Sequence, residues 1–121
     1  MDTVNCNLTI KRIYEAYSKN DGYRVLIDRM WPRGIKKEDA KLDEWIKEIA
    51  PSISLRKWFD HESEKFDEFS AKYKAELSDK KEPLQKILAV AESQKVTLLY
   101  AAKDPKINHA VVLLNFLNNS I

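Results

Sequence analysis

The sequence predicts an α/β fold: one small domain over residues 1–121, with a short, mixed, mostly parallel sheet of about three or four strands covered by several helices. Three observations carry that reading. Residues 8–14 and 23–28 are short apolar stretches with the length and alternation of strands. Residues 37–93 carry helical periodicity almost throughout. Residues 96–101 form a nearly continuous apolar run of strand length, and another helical pattern follows at once.

In the first stretch Leu8 and Ile10 alternate with polar residues, the pattern of a half-buried strand. Asn20-Asp21-Gly22 supplies turn chemistry before the second strand, residues 23–28. The short connection leaves no room for a crossover helix, so the two strands are expected to be antiparallel neighbours.

Next, Leu42, Trp45, Ile46 and Ile49 follow the i, i+3, i+4, i+7 spacing of one helix face, which Pro51 closes. Ser54 suits the cap of a short helix presenting Leu55, Trp58 and Phe59, with a break at residues 61–63. Phe66, Phe69, Tyr73 and Leu77 line a longer helix, and Leu84, Ile87, Leu88 and Ala91 another that opens near Pro83. After the strand at 96–101, Asp104 and Pro105 suit the cap and first turn of a closing helix that runs to about Leu117. If the second and third strands are parallel, residues 37–93 contain their right-handed crossover. Their carboxyl ends then share an edge, which brings residues 28–34 close to residues 100–109.

A chain of 121 residues buries roughly two-thirds of its unfolded surface and folds without disulfide or metal staples. Two glycines and four prolines leave no low-complexity linker. Cys6 is alone, which excludes an internal disulfide and a cysteine-rich metal site, and the polar N-terminus has no signal-peptide pattern. No apolar run approaches the roughly 20 residues of a spanning helix, so a cytoplasmic location with no membrane partner is expected. A formal charge of +2 is too small to argue for a nucleic-acid partner in bulk. Locally, Arg24, Arg29, Arg33, Lys36 and Lys37 face one acid, Asp28, within residues 24–37, and residues 38–48 invert that balance.

The run Asp28-Arg29-Met30-Trp31-Pro32-Arg33-Gly34 leaves the second strand where ligand-binding loops of α/β sheets usually sit. Opposite it, Lys103 and the N–H groups after Asp104 describe an anion-binding corner that Arg29 and Arg33 can reach. Structural ion pairing suits either arginine equally well. Asn108 and His109 fall in the first turn of the closing helix, where the dipole opposes protonation of the imidazole. His109 is thus a candidate general base, with Asp28 or Asp104 as its acidic partner, or a histidine satisfied by a backbone carbonyl.

Trp31 suits stacking on a ligand as well as packing beneath its own loop, and Tyr100 ends the third strand nearby. Arg56 and His61 form a secondary pair near a helix end. Two histidines 48 positions apart, with no short ligand pair, argue against a metal site. No glycine-rich phosphate loop and no nucleophile elbow is present, and no cofactor is implied.

Several of these segments together resemble one family. They are residues 28–34, Leu42-Asp43-Glu44-Trp45, Ala50-Pro51-Ser52, Leu55-Arg56-Lys57-Trp58-Phe59 with His61, and residues 96–102 with Asp104, Asn108, His109 and Ala110. They are similar, in order and over nearly the whole chain, to the YeaO-like proteins, small bacterial proteins classed as a domain of unknown function. The chain departs from that pattern in two places. Asp60 stands where the family usually has glycine between Phe and His, with Glu62 and Ser63 in place of Asp-Pro, and Lys36 stands where Ser or Thr often follows Arg-Gly-Ile.

The expected function is recognition of an anionic, phosphate-bearing or nucleotide-like small molecule at the carboxyl edge of the sheet, with His/Asp acid–base chemistry as its catalytic form. Arg29, Trp31, Arg33, Tyr100, Lys103 and Asn108 are the ligand-binding candidates. The alternative is an interaction module that binds nucleic acid or a protein through the basic segment 24–37.

Overall fold

The structure, a computed structural model, describes residues 7–119, so Cys6 and the polar residues before it lie outside what is described. Four strands, β1 (Leu8–Arg12), β2 (Tyr23–Leu26), β3 (Glu44–Trp45) and β4 (Val96–Tyr100), form one sheet in the order β1-β4-β2-β3. Every pairing is parallel, including β2 with β4. Five helices accompany them: α1 (Lys37–Ala40), α2 (Ile53–Phe59), α3 (Phe66–Leu77), α4 (Lys81–Ala91) and α5 (His109–Asn118).

The expected antiparallel pairing of the first two strands is corrected, because β4 lies between them. All five residues of β4 are buried, and a strand apolar on both faces is stable only in the middle of a covered sheet. The chain can bypass β4 without a helix. Residues 13–22 reach roughly 33 Å when extended, enough to return along a five-residue strand (about 17 Å) and cross two strand spacings (about 10 Å). The return ends in a 3-10 turn, Lys19–Asp21, capped by Ser18, and in Gly22 at φ +68°, where a Cβ would collide with the Lys95 carbonyl.

The helix expected over 42–49 is also corrected. Helix α1 stops after four residues at Lys41, whose φ is +49°, and the chain then runs into β3 and a 3-10 turn, Lys47–Ile49. Pairing with the open edge of β2 outweighs helical periodicity here. The Asp43 N–H donates to the Arg24 carbonyl (2.8 Å), and the Asp43 carboxylate accepts from the Arg24 N–H (2.8 Å). Ser52, two residues earlier than the expected Ser54, caps α2 by accepting from the Leu55 N–H.

The two faces of the sheet are covered differently. Val25, Ile27, Val96, Leu98 and Tyr100 join residues of α2 to α5 in the main core. On the opposite face Leu26 and Leu99 pack with Ile13, Ala40 and the partly buried Trp31, Leu42 and Trp45 in a smaller cluster. Beside that cluster Asp21 and Arg24, both buried, form an ion pair completed by Lys11 at 3.0 Å. The guanidinium of Arg24 also donates to the Ala40 carbonyl through Nε (3.2 Å) and Nη2 (2.9 Å), so each of its three nitrogens has an acceptor.

Among the described residues no helix is long and apolar enough to cross a membrane.

Candidate functional site

Strands β2 and β4 are adjacent and parallel, so their carboxyl ends open on one edge, the crevice where open α/β sheets bind ligands. A cleft of about 1030 Å³ lies there, walled by residues after β2, the end of α2 and residues 101–109. Its floor is apolar and includes Pro51, Phe59 and Phe69, with the last two rings stacked at 4.3 Å between centroids. Met30 and Ile53, 68% and 59% exposed, stand on its rim. Exposed apolar side chains of that size bordering a cleft suit contact with something other than water.

Asp28 is the pivot. Its Oδ2 accepts from the Ala101 N–H (3.1 Å), its carbonyl accepts from the Trp45 indole (2.7 Å), and its Oδ1 is buried without a hydrogen bond. Nε2 of His109 lies 3.1 Å from that Oδ1 and 3.2 Å from the Ile27 carbonyl. Hydrogen-bond geometry favours the carbonyl, so the carboxylate oxygen is a close neighbour of the imidazole and not its bonded acceptor. The edge of the Tyr73 ring meets the imidazole, and the Tyr73 hydroxyl donates to the Ile49 carbonyl. Burial raises the Tyr73 hydroxyl well above the usual tyrosine range, which keeps it a donor.

Four cations line the cleft: Arg29, Arg56, Lys57 and Lys103. Arg29 is partly engaged, donating to the carbonyls of Pro51 (3.3 Å) and Ala50 (3.2 Å). The carboxylates on the walls are Asp28, Asp60 and Asp104. Asp104 accepts from the Lys106 (2.8 Å) and Ile107 (3.0 Å) N–H groups, and those two bonds hold its carboxyl below the usual range. It is a fixed anion at neutral pH, a poor proton donor.

Asp104 closes a turn and does not cap α5, which corrects the expected helix start. The cap is Asn108, 2% exposed, whose Oδ1 accepts from the Val111 N–H (3.1 Å) while its Nδ2 donates to the Asp104 carbonyl (2.7 Å). Helix α5 thus begins at His109.

The expected two-part site is brought together only in part. Asp28, Arg29, Lys103, Asp104, Asn108 and His109 line one cleft, joined by Arg56 and His61. Trp31, Arg33 and Tyr100 are not among its lining residues. Trp31 packs edge-on against Trp45 (5.3 Å between centroids) on the other face of the sheet, with its indole donating to the Ile35 carbonyl (2.6 Å). Arg33 is exposed, and its carbonyl accepts from the Tyr14 hydroxyl (2.7 Å). Tyr100 is 3% exposed in the main core, and burial raises its hydroxyl above the usual range.

Lys57 and Asp60 were missed by sequence reasoning, as was the apolar pair Met30 and Ile53. Ile53 carried a signal, an apolar residue opening α2 off its buried face. At the end of α2, Asp60 and His61 both adopt left-handed backbone, φ +48° and +58°. Asp60 occupies the position where a glycine turn is expected, so the chain makes that turn at some cost in strain. Among the described residues no group of three or more His, Cys, Asp or Glu side chains is placed to hold a metal ion.

The family model whose description reads "Inactive DUF488-N3 subclade" matches residues 7–121. An uncharacterised protein of Escherichia coli (strain K12), YeaO, is 46% identical over 113 residues, 93% of this chain and 98% of that protein. Uncharacterised proteins of Mycobacterium tuberculosis (strain H37Rv), Rv3073c, and Mycobacterium bovis, Mb3100c, are each 40% identical over 109 residues, covering 90% of this chain and 92% of theirs. No solved structure matches.

Proposed function

The chain belongs to the inactive DUF488-N3 subclade, and from that premise we propose that it is a binding protein for a phosphate-bearing or nucleotide-like small anion, held in the cleft at the carboxyl edge of the sheet. One observation carries the reading. Arg56, Lys57 and Lys103 line the cleft, and none of their side chains has an ion pair or hydrogen bond among the described residues. Two of the three facing carboxylates, Asp28 and Asp104, are engaged by backbone N–H groups, so they compete weakly for these cations. Three uncommitted cations above an apolar floor suit a phosphate joined to a less polar body.

The family description speaks of inactivity, which favours binding over the acid–base chemistry that Asp28 and His109 otherwise suggest. The alternative module working through segment 24–37 has fewer groups than its count of charges implies. Arg24 is 2% exposed and ion-paired, and Arg29 bonds to two carbonyls, which leaves Arg33, Lys36 and Lys37.

A thermal-shift series with inorganic phosphate, ribose 5-phosphate and adenosine monophosphate tests the reading. A ligand at 100 times its dissociation constant adds about 2.7 kcal/mol, a rise of several degrees in Tm. The shift is expected to vanish in Arg56→Ala/Lys103→Ala and to persist in Lys36→Ala/Lys37→Ala. The reverse pattern overturns the cleft in favour of the basic segment.

A further inference from the structure

The contacts of His109 fix which of its two nitrogens faces a ligand. Nε2 sits between two oxygens, the Ile27 carbonyl at 3.2 Å and Asp28 Oδ1 at 3.1 Å. A lone pair on Nε2 would be repelled by both, and Oδ1, buried without a hydrogen bond, depends on a positive neighbour. The neutral ring must therefore carry its proton on Nε2. Nδ1 then keeps its lone pair. It has no hydrogen bond among the described residues and is not one of the fully buried unbonded atoms, so it keeps some accessible surface on a side chain that is 14% exposed, and His109 lines the cleft.

We infer that the Asp28–His109 pair presents Nδ1 as a hydrogen-bond acceptor to the cleft, and that the ligand is a hydroxyl-bearing phosphate ester whose hydroxyl donates to it. The inference rests on the cleft being an anion site. Arg56, Lys57 and Lys103 are donors only, so they recognise the phosphate. His109 Nδ1 offers the complementary polarity and makes no useful contact with a fully ionised phosphate, whose oxygens only accept. The two kinds of group in one cleft select a molecule with an anionic end and a donor end, as in a phosphorylated sugar or the ribose phosphate of a nucleotide. Asp28 is a positioning residue here, since its Oδ1 and the Ile27 carbonyl together set the tautomer.

Two measurements test this separately. Long-range 15N–1H correlation spectra of the free protein, recorded where the ring is neutral, are expected to give the Nε2–H tautomer for His109; an Nδ1–H tautomer overturns the inference whatever binds. Titration with ribose 5-phosphate and with methyl phosphate, which lacks a hydroxyl, is expected to favour the sugar phosphate by about tenfold, the worth of one added hydrogen bond. His109→Phe should remove that preference, so that the sugar phosphate binds no more tightly than methyl phosphate. Equal affinities in the native chain, or a preference that survives His109→Phe, overturn the ligand assignment. If neither compound binds, the anion-binding reading itself fails, and the tautomer of the native chain still decides whether Nδ1 is the acceptor.

Discussion

Asp21 and Asp28 flank the same strand and lie against opposite faces of the sheet, and their surroundings differ in kind. Asp21 is 5% exposed and receives donors from Lys11, Arg24 and the Ser18 N–H, so every direction around its carboxylate is matched. Asp28 receives one backbone donor on Oδ2, while Oδ1 is buried with an imidazole nitrogen beside it and no bond. The residues near Asp28 are under-satisfied in other ways too: unpaired cations, exposed Met30 and Ile53, and two successive left-handed residues in Asp60 and His61. A fully matched charge cluster does structural work and has nothing left to offer a ligand. A cleft whose groups are incompletely matched retains that capacity.

The largest expected effect tests the matched side. Asp21→Asn strands the Arg24 guanidinium without its carboxylate and should cost about 3–5 kcal/mol in denaturant unfolding. A loss below about 1 kcal/mol would break the contrast. Asp28→Asn keeps an acceptor for the Ala101 N–H and removes a charge whose second oxygen has no hydrogen bond, so stability should change by no more than about 1 kcal/mol. A loss as large as that of Asp21→Asn would make Asp28 a structural anchor instead.

The pH dependence sharpens the same comparison. Burial alone would raise the Asp21 carboxyl, but its hydrogen bonds from Lys11, Ser18 and Arg24 more than reverse that and hold it below the usual range. A group depressed in the folded state contributes stability above the unfolded value, about 3.9, and that contribution is lost as pH falls through the lower folded value. Unfolding followed from about pH 5 downward should show this loss in the native chain and a shallower one in Asp21→Asn. An unchanged slope would mean that the ion pair does not set the acid limit.

The smallest expected effect lies at the turn after α2. Asp60→Gly relieves left-handed strain at φ +48° and, after the added flexibility of glycine is offset, should stabilise by roughly 0.5 kcal/mol. A measurable loss would show that the aspartate side chain makes a contribution there that outweighs its strain.

Strands β1, β2 and β4, the four long apolar faces and the meeting of residue 28 with residues 101–109 were legible in the sequence because burial imposes period 2 or 3.6 on the residues that face a core. The segment at 42–49 was not, because Leu42, Trp45, Ile46 and Ile49 satisfy a helix pattern while the actual packing divides them between two clusters. Trp31 and Arg33 looked like ligand groups because loop composition does not tell which face of a sheet a loop folds over. Arg56 and His61 were within reach only as secondary candidates, since nothing in their spacing says that the end of α2 closes over the edge of β2 and β4.

By itself the sequence determined the family, the element types for the strongly periodic segments and the chemical inventory available at the carboxyl edge, all of which depend on residue identity and local spacing. The tertiary structure decided the strand order, the choice of Asn108 over Asp104 as helix cap and the division of the charges into a matched cluster and an open cleft. Those depend on which groups meet across long sequence separations: Thr97 with the Asp21 carbonyl, Ala101 with Asp28, His109 with Ile27. Whether a buried polar atom is satisfied is a property of such meetings, and no local pattern encodes it.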